Sequence, residues 1–181
     1  MSSVVISGDT SGAITLAAPA VSGTNTATLP AATGTVMVSG NMPAFSAYKN
    51  GGNQSISVNT YTKVTFDTEN FDTNNNFASS TFTPTVAGYY QINACAQLTG
   101  AATSSLCITS IYKNGTEYAR VTANAGSFVL GDWGQMVSSV IYMNGTTDYL
   151  DVYVYTNLPT SPVVSTGLKF TYFNGCMVRS A

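Results

Sequence analysis

Apolar and polar residues alternate over short runs through most of this chain, and no run has the period of a helix. The alternation is clear in 63–67, where Val64 and Phe66 share one face, and in the longer run 89–98. A period of two, bounded by Gly, Pro and Asn clusters, is typical of half-buried strands. We therefore predict an all-β sandwich or jelly roll of about ten strands, with turns every ~8–12 residues.

The strands predicted after residue 42 cover 45–48, 60–67, 81–83, 89–98, 105–113, 116–121, 134–143, 149–156 and 168–178. Asn114 and Gly115 between two of them predict a two-residue hairpin turn that requires positive φ. A second hairpin is predicted around 144–147, and 69–76 is predicted to be a polar loop.

Residues 1–41 differ from the rest of the chain, since Asp9 is the only charged residue in the first 48. Short apolar runs at 4–6, 13–17, 27–29 and 36–38 predict four short strands with tight turns. A flexible linker is the alternative, which the regular apolar spacing disfavours. A segment of roughly 40 residues buries too little surface to fold alone, so we expect it to need a partner.

The stretch 63–98 contains Phe66-Asp67, Asn70, Phe77, Thr81-Phe82-Thr83-Pro84 and Ala87-Gly88-Tyr89-Tyr90. With these residues it resembles the complement C1q and tumour-necrosis-factor jelly-roll family, and the resemblance extends to 44–47, 112–116 and 170–175. It covers roughly residues 43–181 in the right order and implies a ten-stranded jelly-roll head over 42–181 that forms a homotrimer. Some aromatic residues are then predicted to face the threefold axis, and the sequence does not decide which of two alternating neighbours does so. The candidates are Phe45, Tyr89, Tyr90, Phe170, Tyr172 and Phe173.

The N-terminal segment has a resemblance of its own. Residues 8–16 and onward to 33–36 are similar to a stretch in structural and tail-fibre proteins of tailed bacteriophages. This resemblance implies a virion protein whose segment 1–41 attaches to other virion proteins and assists trimerisation. The residues predicted to carry that attachment are the apolar ones Val4, Ile6, Ile14, Leu16, Leu29 and Val36.

The composition of the chain limits the kinds of partner that we expect it to bind. Only 8% of residues are charged while 44% are apolar, which is typical of β proteins that bury much surface between subunits. The net charge is −2 and the six basic residues are scattered, so we expect no nucleic-acid binding. No apolar run approaches the ~20 residues of a membrane span, so no membrane insertion is expected. The N-terminus lacks the features of a signal peptide, which predicts synthesis in a host cytoplasm and release by lysis.

Candidate chemistry is sparse. The chain has no histidine, the commonest general base, and no residue is placed to activate its many Ser and Thr, so we expect no enzyme activity. Asp67, Glu69 and Asp72 lie beside Asn74–Asn76 in the predicted polar loop. Such an oxygen-rich loop is either a calcium site or a set of capped turns; we favour capped turns and expect no cofactor. The three cysteines, Cys95, Cys107 and Cys176, are predicted to be small buried hydrophobes, with an inter-subunit disulfide as the alternative.

Two groups of side chains could recognise a ligand. Tyr149, Tyr153 and Tyr155 share one strand face, where they either bind sugars or protein or, as we favour, pack across strands. In the family that the chain resembles, both termini lie at the base of the head. Hairpin parity then puts the 114–115 and 144–145 turns at the base and the connections 99–104, 124–133 and 157–166 at the apex. The candidate receptor-binding residues there are Thr103, Ser104, Asn124, Phe128, Trp133, Thr160 and Ser161.

Trp133, the only tryptophan, is either a binding anchor or a plug over the end of the barrel.

Three functions follow from these patterns. The first is a trimeric phage fibre whose head recognises a polysaccharide or protein on the host surface. The second is a capsid decoration or head-fibre protein attached to the shell. The third is a non-viral adhesive protein with a C1q-like head.

Overall fold

The structure is a computed structural model that describes residues 3–21, 23–28, 31, 33–34, 36–38, 40, 42–101, 105–125, 131–157 and 162–181. Internal contacts divide the chain into two units, 1–34 and 35–181. No helix among the described residues is long and apolar enough to cross a bilayer.

The first unit contains one antiparallel hairpin, formed by β1 (Ser3–Ser7) and β2 (Ala13–Ala17). Four strands were predicted for this segment. The other two strands were predicted at 27–29 and 36–38, and the residues described there, 27–28 and 36–38, form no strand, so this part of the prediction is wrong. Apolar spacing by itself does not determine a strand, because strand formation depends on the tertiary context of the segment.

The second unit is an all-β jelly roll, as the alternation predicts. Its strands are β3 (Ala44–Tyr48), β4 (Gln54–Ser55), β5 (Thr62–Lys63), β6 (Thr68–Asp72), β7 (Phe77–Ala78), β8 (Thr81–Phe82), β9 (Gly88–Ala101), β10 (Ser105–Lys113), β11 (Thr116–Ala125), β12 (Gly131–Met143), β13 (Leu150–Thr156), β14 (Val163–Val164) and β15 (Tyr172–Ser180). Every strand pair within it is antiparallel.

Two sheets form the sandwich. In one, the order is β11-β10-β13-β8-β7, and β5 also pairs with β13. In the other, the order is β4-β14-β9-β15-β3-β6, and β12 pairs with β9. Leu98 of β9 pairs with both Trp133 and Val164, so β12 lies on the side of β9 opposite β14 and β15. Among the described residues β12 pairs only with β9 and β11 only with β10, so each is the edge strand of its sheet.

The registers show which connections share an end of the sandwich. Ala101 pairs with Gly131, Ser105 with Ala125, and Cys107 with Thr156. At the other end Met143 pairs with Gly88 and Lys113 with Leu150. Hence the strand ends that bound the 102–104, 126–130 and 157–162 connections lie together at the apex, and the 114–115 and 144–149 turns lie at the base. The parity prediction agrees with this placement, and Asn114 and Gly115 have the positive φ values expected, 53° and 78°.

A cluster of aromatic rings fills the core between the sheets. The Phe45 ring lies 4.1 Å from Phe82 and 5.3 Å from Phe77, both stacked, and 4.9 Å from Phe173 edge-on. Gly175 is required beside it, because a Cβ there would lie 2.6 Å from Ile92 Cδ1 and 3.1 Å from Phe45 Cε1. Val64 and Phe66 are buried in the same core, as their alternation predicts.

Candidate functional site

The candidate calcium loop is organised by its own backbone. Asp67 Oδ1 accepts hydrogen bonds from the Asn50 and Gly51 amides at 2.7 and 3.1 Å, and Asp67 Oδ2 lies 3.6 Å from Lys49 Nζ. Asp72 caps the next turn by accepting from the Phe77 amide at 2.7 Å. Within the described part of the chain no three acidic, His or Cys side chains are grouped as metal ligands would be. The hydrogen bonds that Asp67 and Asp72 accept are those of capped turns.

Part of this loop is a strand. Residues 69–76 were predicted to be a polar loop, whereas Thr68–Asp72 forms β6 and pairs with β3. The loop prediction is therefore wrong for residues 69–72. The backbone of β3 supplies hydrogen-bond partners for this segment, which the polarity of its side chains does not reveal. The pairing brings Phe71, half exposed, beside Ser46 on the outer side of the sheet.

Asp148 joins the two hairpin turns at the base. Its Oδ2 lies 2.9 Å from Lys113 Nζ and accepts a hydrogen bond from the Asn144 amide at 3.0 Å, while Oδ1 accepts from Asn114 Nδ2 at 2.7 Å. Desolvation by burial acts to raise the pKa of this carboxyl, but the hydrogen bonds and the lysine together outweigh it and lower the pKa below its ordinary value of 3.8. The ionised carboxylate thus stabilises the fold.

We expect Asp148→Asn to lower the free energy of unfolding at neutral pH by about 2 kcal/mol, the scale of hydrogen bonds to a charged group. Because the folded pKa is depressed, the carboxylate contributes fully above the unfolded pKa and loses its contribution as pH falls through the lower folded pKa. When urea unfolding is measured from pH 7 down to acid pH, the free energy of unfolding should therefore fall less in the variant than in the wild type. Glu69→Gln, which removes an exposed carboxylate, is the control. If the free energy of unfolding fell equally with acid in the wild type and in Asp148→Asn, the stabilising role of the Asp148 carboxylate would be contradicted.

The tyrosine row packs on neighbouring rings. The Tyr153 ring lies 4.4 Å from Tyr112, and the Tyr155 ring lies 5.1 Å from Tyr61. These side chains are half-buried on the outer side of the β10–β13 pair, and the Tyr155 hydroxyl donates to Asn59 Oδ1 at 3.2 Å. The favoured interpretation, cross-strand packing, accounts for these contacts.

The apical candidates fall into two groups. Thr103, Ser104, Phe128, Thr160 and Ser161 lie outside the described residues. Asn124 and Trp133 were predicted in a loop, but Asn124 lies in β11 and Trp133 in β12. Asn124 is exposed near the apex. Trp133 is partly buried against the core, which is the contact expected of a plug.

Half of the predicted trimer-interface residues lie inside the sandwich. Phe45, Tyr90 and Phe173 are buried in the core, with 1%, 0% and 0% of their surface exposed. Their assignment to the threefold axis is wrong, because a side chain without exposed surface cannot contact a second copy. Tyr89 and Phe170 are exposed, and Tyr172 is half-buried on the outer side. These three stay candidates.

The outer side of the β12-β9-β15-β3-β6 sheet is a surface that no other described strand of the head covers. Its side chains lie in three rows, which we call the open face: Met136, Cys95, Tyr172, Tyr48 and Thr68; Ser138, Asn93, Asn174, Ser46 and Phe71; Val140, Gln91, Cys176 and Ala44. Their sequence neighbours, such as Val137, Ala94 and Phe45, point into the core. No Asp, Glu, Lys or Arg lies in these rows.

Each row of the open face has an apolar residue at one end or at both. Met136, Val140 and Phe71 are 59%, 49% and 51% exposed, and the Tyr89 and Tyr142 rings lie 5.4 Å apart beside the third row. A depression of about 310 Å³ lies between Phe71 and Cys176, with Asn93 and Asn174 in its wall. An uncharged sheet face with exposed apolar side chains is typical of a surface that another protein covers.

Sequence reasoning missed most of this surface. Met136, Val140, Tyr142, Phe71 and Cys176 were not predicted as contacts, and Cys176 was predicted to be buried. Cys95 and Cys107 are buried as predicted, and burial raises the pKa of both thiols, whereas Cys176 is exposed. A signal was present in β12, where Met136-Val137 and Val140-Ile141-Tyr142-Met143 are apolar on both faces. Strands covered on both sides have that pattern.

The N-terminal hairpin carries a second uncovered apolar surface. Val4 pairs with Leu16 and Ile6 with Ile14, so the four side chains lie on one face, and each is more than half exposed. An isolated two-stranded hairpin is marginally stable in water, and an exposed apolar stripe favours contact with a partner. Leu29 lies outside the described residues, and Val36 is exposed and in no strand.

Comparison with known proteins supports the fold. The chain matches no family model, and no curated protein matches it either. Among solved structures, the globular domain of zebrafish complement 1qA protein is 19% identical, with a TM-score of 0.55 over 77% of this chain and 99% of that one. Eiger TNF from S. frugiperda is 8% identical, with a TM-score of 0.61 over 78% and 95%. Murine APRIL at pH 5.0 is 12% identical, with a TM-score of 0.56 over 76% and 99%. The second unit therefore has the C1q and tumour-necrosis-factor jelly-roll fold.

Proposed function

We propose that this chain is a non-enzymatic structural protein whose jelly-roll heads assemble as a homotrimer through the open face. The observation that carries the proposal is the uncharged, partly apolar surface of the three rows, which a lone soluble domain would expose to water. A chain in which 8% of residues are charged has few means of keeping such a face monomeric. The similar solved structures support the jelly-roll fold, and the trimer is proposed for a head with that fold.

A cyclic arrangement suits the shape of this head. The open face is bounded by the edge strand β12, and the edge strand of the other sheet is β11; the outer backbone groups of both pair with no strand among the described residues. A face on one copy that receives the edge of the next is a heterologous contact, and such contacts form a ring where the rotation between copies closes. The same contact would cover the long β12 edge, which is otherwise a site for unwanted strand pairing.

We further propose that the trimer is a virion fibre, attached through the N-terminal hairpin and recognising the host surface with its apical end. The support is the apolar stripe Val4-Ile6-Ile14-Leu16 and the position of Ala44, near the base of the head and away from the apical connections. Three copies would add avidity to weak binding of a host polysaccharide or protein. A capsid decoration protein with the same architecture is the second candidate, favoured equally by the hairpin, and a non-viral adhesive C1q-like protein is the third.

The location of the protein on particles tests this proposal. We expect gold-labelled antibodies against residues 42–181 to decorate particles released from lysed producer cells, three epitopes to a site. Label on the tail would support the fibre, and label on the shell would support the decoration protein. Particles without label, with the protein recovered only from the producer cell surface, would contradict both and leave the adhesive protein.

A further inference from the structure

Two polar side chains lie inside the head without a hydrogen-bond partner from the chain. Gln135 of β12 is 5% exposed, and Thr109 of β10 is fully buried. Neither amide atom of Gln135, nor the hydroxyl of Thr109, forms a hydrogen bond with the part of the chain that the structure describes. By contrast, the buried Thr171 hydroxyl donates to the Ser165 carbonyl at 2.6 Å. Since nearly all buried polar side chains in proteins have a partner, Gln135 and Thr109 require an explanation.

Both side chains point into the interior of the sandwich. Along β12, Gln135 alternates with exposed residues and shares its face with Val137 of the core. Thr109 shares its face of β10 with Cys107 and Ile111 of the core. β10 and β12 belong to different sheets, and Cα atoms of the two strands come within 8 Å of each other. The unpartnered amide and the unpartnered hydroxyl therefore enter the same interior from facing sheets.

The surroundings of these groups are small and uncharged. Gln135 pairs with Ala96 of β9, and Ala94, the next residue on that face of β9, is also fully buried. Among the described side chains, no Asp, Glu, Lys or Arg lies on the core-facing rows of β9, β10 and β12. An ion would therefore lack a counter-charge, and an apolar molecule would leave the amide unpaired. A small neutral molecule that both donates and accepts hydrogen bonds fits these groups, and water has those properties.

We propose that the interior of the head between β10 and β12 binds ordered water, hydrogen-bonded to the Gln135 amide and to the Thr109 hydroxyl. A carboxamide offers both donors and an acceptor, and a hydroxyl offers one donor and an acceptor, so these groups can supply the ~2–4 polar contacts that buried water makes. The water in turn removes the cost of burying the two side chains unpaired. The inference does not depend on the proposed trimer, because both side chains belong to one head.

Thr109→Val tests the hydroxyl in the full chain, since valine has nearly the same shape as threonine and no polar side-chain atom. If water binds the hydroxyl, the variant loses a hydrogen bond, and we expect its equilibrium constant for folding to fall about three- to tenfold. Urea unfolding at a fixed protein concentration measures the change. Thr122→Val, the same substitution at an exposed position of β11, is the control and should stay within about twofold of the wild type.

The sign of the effect separates water from an empty interior. Removing a hydroxyl that has no partner would raise the equilibrium constant for folding, because the cost of burying that hydroxyl disappears. Unchanged or higher stability of Thr109→Val would therefore overturn the proposal.

A crystal structure of the full chain, at a resolution that shows solvent, is the direct observation. We expect water oxygens within about 2.5–3.2 Å of a Gln135 amide atom and of Thr109 Oγ1. In crystals of Gln135→Met the water beside residue 135 should be lost while the fold stays the same. An interior without water at these atoms, or with both side chains bonded directly to protein groups, would overturn the proposal even if Thr109→Val were less stable, because that loss would then come from packing.

Discussion

Replacing Phe45 by alanine is expected to lower the free energy of unfolding of the head by about 3–5 kcal/mol, the range measured for large-to-small changes at buried aromatic positions. The Phe45 ring is stacked on Phe82 and Phe77 and meets the edge of Phe173, so its removal opens a cavity bounded by three other rings. Urea unfolding at a fixed protein concentration measures the effect.

The same variant decides where Phe45 points. Tyr118→Ala is the control, because Tyr118 is an aromatic residue 51% exposed on β11 and should cost little by comparison. Loss of assembly by Phe45→Ala with an unchanged unfolding midpoint would show that Phe45 faces a second copy, contrary to its burial in the core.

Val140→Asp is expected to convert the protein to folded monomers. Val140 is 49% exposed in the single chain, so the carboxylate costs the isolated head little. In the proposed trimer it would place a charge in each of three uncharged contacts, and an unpaired buried charge should raise the dissociation constant at least about a hundredfold. Size-exclusion chromatography with light scattering measures the mass.

Two comparisons give this prediction its control. Ser57→Asp adds the same charge in an exposed connection between β4 and β5 and should leave the assembly intact. Val140→Ile keeps the face apolar and should do the same. If Val140→Asp assembles like these controls, the open face is not where the copies meet.

The long strands of the head could be predicted because one face of each packs in the core. Val64 and Phe66 alternate with polar residues and are buried, and the 114–115 turn has the backbone that its Asn-Gly sequence favours. Local chemistry determines both features. The placement of the apical and basal connections followed from hairpin parity and the resemblance, and the registers agree with it.

The outward contacts could not be predicted in the same way. Tyr89 and Tyr90 are equally apolar by sequence, yet one is 42% exposed and the other is fully buried. Which of two neighbours points inward depends on the register with β12 and β15, a long-range property. For the same reason Phe45 and Phe173 were taken as contacts, while Val140 and Met136 were missed.

Two other differences also arise from pairing at a distance. β6 forms because its backbone pairs with β3, although Thr68–Asp72 has a polar composition. Trp133 lies in β12 because that strand extends to Gly131 along β9, and its ring contacts the core. Neither the pairing nor the extension is encoded in the residues of the segment itself, since both depend on the neighbouring strand.

Sedimentation equilibrium of the intact wild-type chain over a range of concentrations is the most direct test of assembly through the open face. The account predicts a single species of about 57 kDa, three times the chain mass of 18.9 kDa. A species of 18.9 kDa at every concentration, with the open face left in water, would contradict it.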